Sequence, residues 1–190
     1  MNKKNSFPMP RRTFMASGVL LGNSLFGIPL GLGSSTQARQ KAKETITPAE
    51  KKWIENSAMA KDIGTYFGQD FSCAESLLMA SLRHLGKPEE WVWAAAGFGG
   101  GMYKRDLCGF LTGGIMALGF ASGIREMPRK EAKEYCGDLV EKYWGWWGLQ
   151  APYHCAEIRE GQTTYEVCRN LGLLSAAKIE EFLESIKNTA

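Results

Sequence analysis

The stretch from Gly97 to Gly123, GFGGGMYKRDLCGFLTGGIMALGFASG, constrains the fold more than any other part of the chain. Its second half, Leu111 to Phe120, is apolar on most sides, and a helix without a polar face has to be enclosed by other elements. Its first half holds too much glycine for a helix interior, where each glycine costs about 1 kcal/mol relative to alanine. The segment therefore predicts a Gly-rich loop leading into a central buried helix. The rest of the chain has to supply the helices around it.

The flanking sequence does so. Thr47, Pro48 and Glu50 read as N-cap, first helical position and capping-box partner of a helix from Pro48 to about Tyr66. Trp53, Ile54, Ala58, Ile63 and Phe67 lie near one face of it, and Gly68 is its stop. Ser72 starts a second helix carrying Leu77, Leu78, Ala80, Ser81 and Leu82 to Leu85, ended by Gly86 and Pro88. Glu89 to Ala96 is a short apolar helix with acids in its first turn, favourable to the dipole. Pro128 opens an amphipathic helix from Arg129 to about Trp144, ending in YWGWWG. A less regular stretch carries Cys155, a short turn carries Cys168, and Ser175 caps a last helix to about Lys187. No alternating strand pattern of useful length is present. The expected fold is all-α: a compact bundle of about five to six helices with a Gly-rich loop and an irregular C-terminal Cys-bearing stretch.

Ahead of this domain stands MPRRTFMAS, Met9 to Ser17, followed by an apolar run from Ala16 to Gly33. Arg11, Arg12 and Phe14 resemble the twin-arginine class of export signal; Pro10, Met15 and Ala16 depart from its pattern. Gly18, Gly22, Asn23, Gly27, Pro29 and Gly31 dilute the run below the roughly 20 predominantly apolar residues that a bilayer-spanning helix needs. Thr36 and Ala38 supply the small residues before a cut, so cleavage is expected after Ala38. The expected organisation is a signal over 1–38, a linker over 39–47 and one domain over 48–190. The resemblance implies a periplasmic protein that is exported already folded and meets the membrane only through its signal during export.

The 190-residue chain has 23 Lys and Arg against 20 Asp and Glu, but Lys3, Lys4, Arg11 and Arg12 leave with the signal while no acid does. The remaining 152 residues carry 19 basic against 20 acidic side chains, so the basic footprint of a nucleic-acid binder is missing. That length suits one domain with a sizeable core. It contains five cysteines, Cys73, Cys108, Cys136, Cys155 and Cys168, which cannot all pair within one chain. Either one thiol is spare or the cysteines serve something other than cross-linking. Cys73 falls in the first turn of the helix capped by Ser72, and Cys108 opens the buried helix; unpaired N–H groups and the dipole there favour a thiolate. Cys136, inside a helix at EYCGDL, reads as a buried inert thiol, the alternative being a fifth ligand or an inter-subunit contact.

Four motifs follow in order: Cys73 in FSCAESLL, CGFLTG from Cys108 to Gly113, Cys155 in HCAEI and Cys168 in VCRNL, with GFGGGM ahead of the second. Together they resemble the family of small redox-active proteins named for a first Cys, a Cys-Gly-Ala-x-x-Gly motif and two further Cys. The resemblance covers about Trp53 to Leu174, with Phe110 standing where the motif has Ala. The same domain is similar to the iron–sulfur part of split-Soret cytochromes c. No Cys-x-x-Cys-His is present, so attached haem does not carry over, and His84 and His154 read as surface or packed residues.

The resemblance implies that Cys73, Cys108, Cys155 and Cys168 are the metal ligands of an iron–sulfur cluster, [2Fe–2S] in preference to [4Fe–4S]. Four thiolates are the usual complement of either. Structural zinc sites bring cysteines in pairs two to four residues apart, a spacing missing here. Gly99, Gly100 and Gly101, with Gly109 beside Cys108, are the candidate cofactor contacts, since backbone without side chains can approach a cluster and aim N–H groups at its sulfurs. They are not a P-loop, because no Gly-Lys-Ser/Thr follows; a tight helix–helix turn is the other reading. Lys104 and Arg105 either offset the cluster's charge or are solvated surface. Tyr143, Trp144, Trp146 and Trp147 either pack at a helix end or dock a partner.

The implied function is single-electron transfer with a periplasmic donor or acceptor protein, a carrier rather than an enzyme, and the related cytochromes point to a homodimer. One alternative is a thiol–disulfide oxidoreductase in which Cys73 or Cys108 attacks, against which stands the missing Cys-x-x-Cys. The other is a structural protein with two disulfides that leave Cys136 free, which gives no reason for fold-dependent export.

Overall fold

The computed structural model describes residues 41–187; the twin-arginine motif and the cleavage site after Ala38 lie outside them. Helix α1 (Pro48–Asn56) begins as its sequence predicts, with the Thr47 hydroxyl accepting the Glu50 N–H at 3.3 Å and the Glu50 carboxylate accepting the Thr47 N–H at 2.9 Å. The single helix expected to Tyr66 is broken at Ser57, whose extended backbone separates α1 from α2 (Ala58–Tyr66). The cause is tertiary. Ser57 Oγ accepts the Ala60 N–H at 3.0 Å and donates to the Glu180 carboxylate, which also accepts the N–H groups of Ala58 at 3.2 Å and Met59 at 3.1 Å. A carboxylate from the far end of the chain thus caps α2.

The capping box between Ser72 and Glu75 starts α3 (Cys73–His84), which makes Cys73 its first residue. The short helix expected over Glu89 to Ala96 is a 3₁₀ helix, Glu89–Phe98, packed along α3. Helix α4 (Gly109–Ile124) is the enclosed element: Phe110, Leu111, Ala117, Leu118 and Ala121 are buried, and it packs against α3, α5 (Arg129–Trp147) and α7 (Glu166–Lys187). The α3–α4 contact is close, since a Cβ on Gly113 would lie 2.6 Å from the Ala74 carbonyl oxygen. The aromatic run at the end of α5 divides. Tyr143 and Trp147 are fully buried, Tyr143 donating to the Phe110 carbonyl at 3.1 Å and Trp147 Nε1 to the Pro152 carbonyl at 3.0 Å. Trp144 and Trp146 are half-buried, and Trp144 stacks on Tyr153 at 4.7 Å.

After the single turn α6 (Cys155–Ile158), α7 begins at Glu166, well before Ser175. Ser175 is therefore no cap; it is buried within α7 and donates to the Leu171 carbonyl at 2.6 Å. Leu171, Leu174, Ile179 and Leu183 give α7 a long buried face against α2, α3 and α4, and that packing carries the helix back through the region read as a turn. Among the described residues there is no strand, only isolated bridges at Phe67–Phe71 and Leu107–His154, so the fold is all-α. No described helix is long and apolar enough to cross a membrane. Residues 41–44, within the expected linker, are tied down: the Lys43 N–H donates to the Gln150 carbonyl and the Asn170 amide to the Glu44 carbonyl, each at 2.9 Å.

Candidate metal centre

Four helix starts converge on one place. Cys73 is the first residue of α3, Cys108 the N-cap of α4, Cys155 the first residue of the α6 turn, and Cys168 lies in the first turn of α7, not in the expected loop. All four line one cavity of about 280 Å3. Phe67, Phe110 and Ile158 supply its apolar wall; Ser72, Gly100, Arg105, Arg159 and Tyr165 supply the rest. Cys136 is half-buried in α5 and is not part of this lining. N–H groups at helix starts favour negative charge, and at Cys73 and Cys108 such groups face the sulfur.

Close backbone approach assembles the inner side. A Cβ on Gly109 would stand 2.3 Å from Cys73 Sγ, 3.0 Å from the Ala74 nitrogen and 3.1 Å from the Phe98 carbonyl oxygen, so no larger residue fits between α3 and the start of α4. The backbone N–H groups of Gly100, Ala74 and Gly109 face the Cys73 sulfur, and those of Phe110 and Leu111 face Cys108. On the outer side the Cys155 N–H donates to the Asp106 carbonyl at 2.7 Å and the Cys108 N–H to the Tyr153 carbonyl at 2.8 Å, which fastens the α6 segment beside the start of α4.

The Gly-rich segment is more than a tight turn. Gly100, Gly101, Met102 and Tyr103 are consecutive left-handed residues, with φ of 58°, 67°, 54° and 56°, and the Asp106 N–H closes the turn on the Gly101 carbonyl at 3.0 Å. Gly100 lines the cavity itself, while a Cβ on Gly101 would meet the Asp106 backbone at 2.6 Å and Cys155 Cβ at 2.8 Å. Gly99 closes on the Ser72 side chain instead, and so supports the cap of α3. A non-glycine residue pays about 1–2 kcal/mol for this conformation. Tyr103 is 75% exposed, so its ring returns little of that cost. Tyr103→Gly is expected to stabilise the protein by about 1 kcal/mol, read from the urea midpoint.

The helix starts alone favoured thiolates at Cys73 and Cys108, and burial reverses that expectation. Burial pushes both thiols up despite the N–H groups facing them, and at Cys108 the neighbouring Cys73 adds to the rise. Cys155 is raised by burial and by Cys73, against the opposing Arg105 and Arg159. Cys168 is pushed up to about 11, by burial first and then by Cys155 and Cys73, with Arg159 opposing. The metal-free thiols are therefore predominantly protonated at neutral pH, and they become thiolates only when a cation replaces the protons.

Among the described residues no three Cys, His, Asp or Glu side chains converge tightly enough to hold a single metal ion. The sulfurs instead stand around the walls of a cavity, which suits a polynuclear group bonded at its edges better than one ion at a point. Donor set, N–H groups and apolar wall all fit an iron–sulfur cluster. His84 is bound to Glu184 at 2.7 Å and Lys187 at 3.1 Å, away from this lining; exposed His154 lies beside Asp106 and Glu157. Arg105 lines the cavity and Lys104 does not. Sequence reading did not select Phe67, Ser72, Ile158, Arg159 and Tyr165 as site residues; the capping box was the signal for Ser72 and nearness to Cys155 in the chain the signal for Arg159.

No curated protein and no solved structure matches this chain. The family model described as "Putative redox-active protein (C_GCAxxG_C_C)" matches residues 71–182, a span that includes all four cavity-lining cysteines and the start of every element that carries one. The chain belongs to this C_GCAxxG_C_C family of redox-active proteins.

Proposed function

We propose that the protein is an exported electron carrier that binds an iron–sulfur cluster, [2Fe–2S] in preference to [4Fe–4S], through Cys73, Cys108, Cys155 and Cys168. The observation that carries this reading is that these four cysteines, and not Cys136, line one cavity from four separate helix starts. When bound, the cluster supplies a one-electron couple. The chain's own groups set its surroundings: N–H groups at Cys73 and Cys108 offset negative charge, Phe67, Phe110 and Ile158 keep water from the inner wall, and Arg105 and Arg159 add positive charge at the outer one. Cys108 is buried whereas Cys155 and Cys168 are partly exposed, which makes their side the natural place for exchange with a donor or acceptor protein. Arg11, Arg12 and the small residues before position 39 fit periplasmic export of a protein folded around its centre, and a homodimer is the assembly proposed by likeness to the related cytochromes.

Thiol–disulfide exchange is the weaker reading, because the attacking species is a thiolate and burial raises all four of these thiols. An anaerobic absorption spectrum with iron and acid-labile sulfide analysis, on protein matured with its own signal, tests the choice. Broad visible bands with near-equal iron and sulfide are expected. Cys73→Ser and Cys155→Ser should lose the colour and some stability, whereas Cys136→Ser should lose neither. Colourless, iron-free wild-type protein prepared without oxygen overturns the cluster, and loss of colour only in Cys136→Ser overturns the ligand set.

A further inference from the structure

The two sides of the cavity are charged differently. Cys73 and Cys108 face neutral backbone N–H groups, whereas side-chain cations act on Cys155 and Cys168. Arg105 is exposed, and water and salt screen a charge in that position more strongly. Arg159 is half-buried and held at several points. Its guanidinium lies 4.1 Å from the centroid of the Tyr165 ring, its Nη1 donates to the Thr164 carbonyl, and its backbone N–H donates to the Cys155 carbonyl at 3.0 Å. Ring and carbonyl belong to the segment that leads into Cys168, so the cation and the sulfur move as one unit. Arg159 and Cys168 line the same cavity, and the positive charge of the guanidinium opposes the rise of the Cys168 thiol.

We propose that Arg159 is a positioning residue that raises the reduction potential of this centre, its guanidinium being clamped by Tyr165 and Thr164 so that a fixed positive charge stands in the cavity wall that it shares with Cys168. The inference rests on the cluster reading above. A reduced centre carries one more negative charge than an oxidised one, so a fixed neighbouring cation stabilises the reduced form more. A planar guanidinium stacked on a ring holds its donors in place, which a lysine in the same position does not. Tyr165 acts through Arg159.

The test is an anaerobic redox titration of the iron-loaded full chain with dithionite, followed by absorbance, alongside iron content and thermal midpoint. Arg159→Gln should shift the reduction equilibrium about tenfold toward the oxidised form, a fall of about 59 mV for one electron. Arg159→Lys should recover part of the shift, because the charge returns without the fork. Tyr165→Leu, which keeps the charge and removes the clamp, should fall between Arg159→Gln and wild type. A role in structure alone would lower iron content or the thermal midpoint and leave the potential where it was; that result in Arg159→Gln overturns the proposal while the cluster reading stands. Should Arg159→Gln fail to load iron, an unchanged potential in loaded Tyr165→Leu overturns it equally. Wild-type protein without iron and sulfide overturns the cluster reading, and this proposal with it.

Discussion

Gly109→Ala is expected to lose the iron centre and to destabilise the fold by about 3 kcal/mol, the upper part of the range for overpacking a filled core. The new methyl would meet Cys73 Sγ at 2.3 Å, and neither of its next neighbours, the Ala74 nitrogen at 3.0 Å and the Phe98 carbonyl oxygen at 3.1 Å, is a side chain that can rotate away. Relief requires the Cys73 sulfur to swing out of its place and the backbones of α3 and α4 to give by a few tenths of an ångström, and both disturb the cavity that Cys73 shares with Cys108. Iron content and the urea midpoint measure the two effects. Gly119→Ala in the same helix is the control: nothing lies within 4 Å of its Cβ position, so it should gain up to about 1 kcal/mol of helix propensity and keep the centre. Full iron loading in Gly109→Ala would mean that Cys73 is not held where its sulfur lies in this structure.

Phe110→Ala is expected to cost about 3–5 kcal/mol, the usual penalty for emptying a phenylalanine site in a core. It would restore the small residue of the family motif, yet here the ring is 1% exposed, packs edge-on to Phe67 at 5.0 Å and forms part of the cavity wall. The space for it comes from Gly172 in α7, where a Cβ would lie 2.6 Å from the ring tip. Gly172→Ala should accordingly destabilise the wild type, but stabilise the Phe110→Ala background, where the methyl has room and helix propensity favours alanine by about 1 kcal/mol. A double-mutant cycle reads that reversal as coupling; additive effects would show that Gly172 is not matched to the ring.

Local signals account for what was legible beforehand. The capping box at Thr47 and the cap at Ser72 each lie within four residues of chain, and both form as read, with Glu75 completing a second box at Ser72. The apolar character of Leu111 to Phe120 requires enclosure, and α4 is enclosed. The break at Ser57 was not legible because its partner, Glu180, is more than a hundred residues away. The start of α7 was misplaced at Ser175 because a serine before a helical pattern resembles a cap, whereas packing of Leu171 and Leu174 outweighs that local preference. Met102 and Tyr103 carry no sign of their left-handed backbone; a residue of ordinary propensity is held there by the closure between Gly101 and Asp106. The protonation of Cys73 and Cys108 was misread for a related reason, because a helix start is visible in sequence and burial is not.

By itself the amino-acid sequence determined an all-α domain around one buried helix, the helix starts that carry Cys73 and Cys108, and the ordered set of four cysteines that marks the family. These are written in contiguous residues, where hydrophobic periodicity and caps act over a few ångströms. Only the tertiary structure decided that four distant helix starts share one cavity, that Cys136 stays out of it, that Gly172 makes room for Phe110, and that Arg159 is clamped beside Cys168. Each of these depends on groups brought together by packing from separate helices, and no local preference of the chain encodes such a distance.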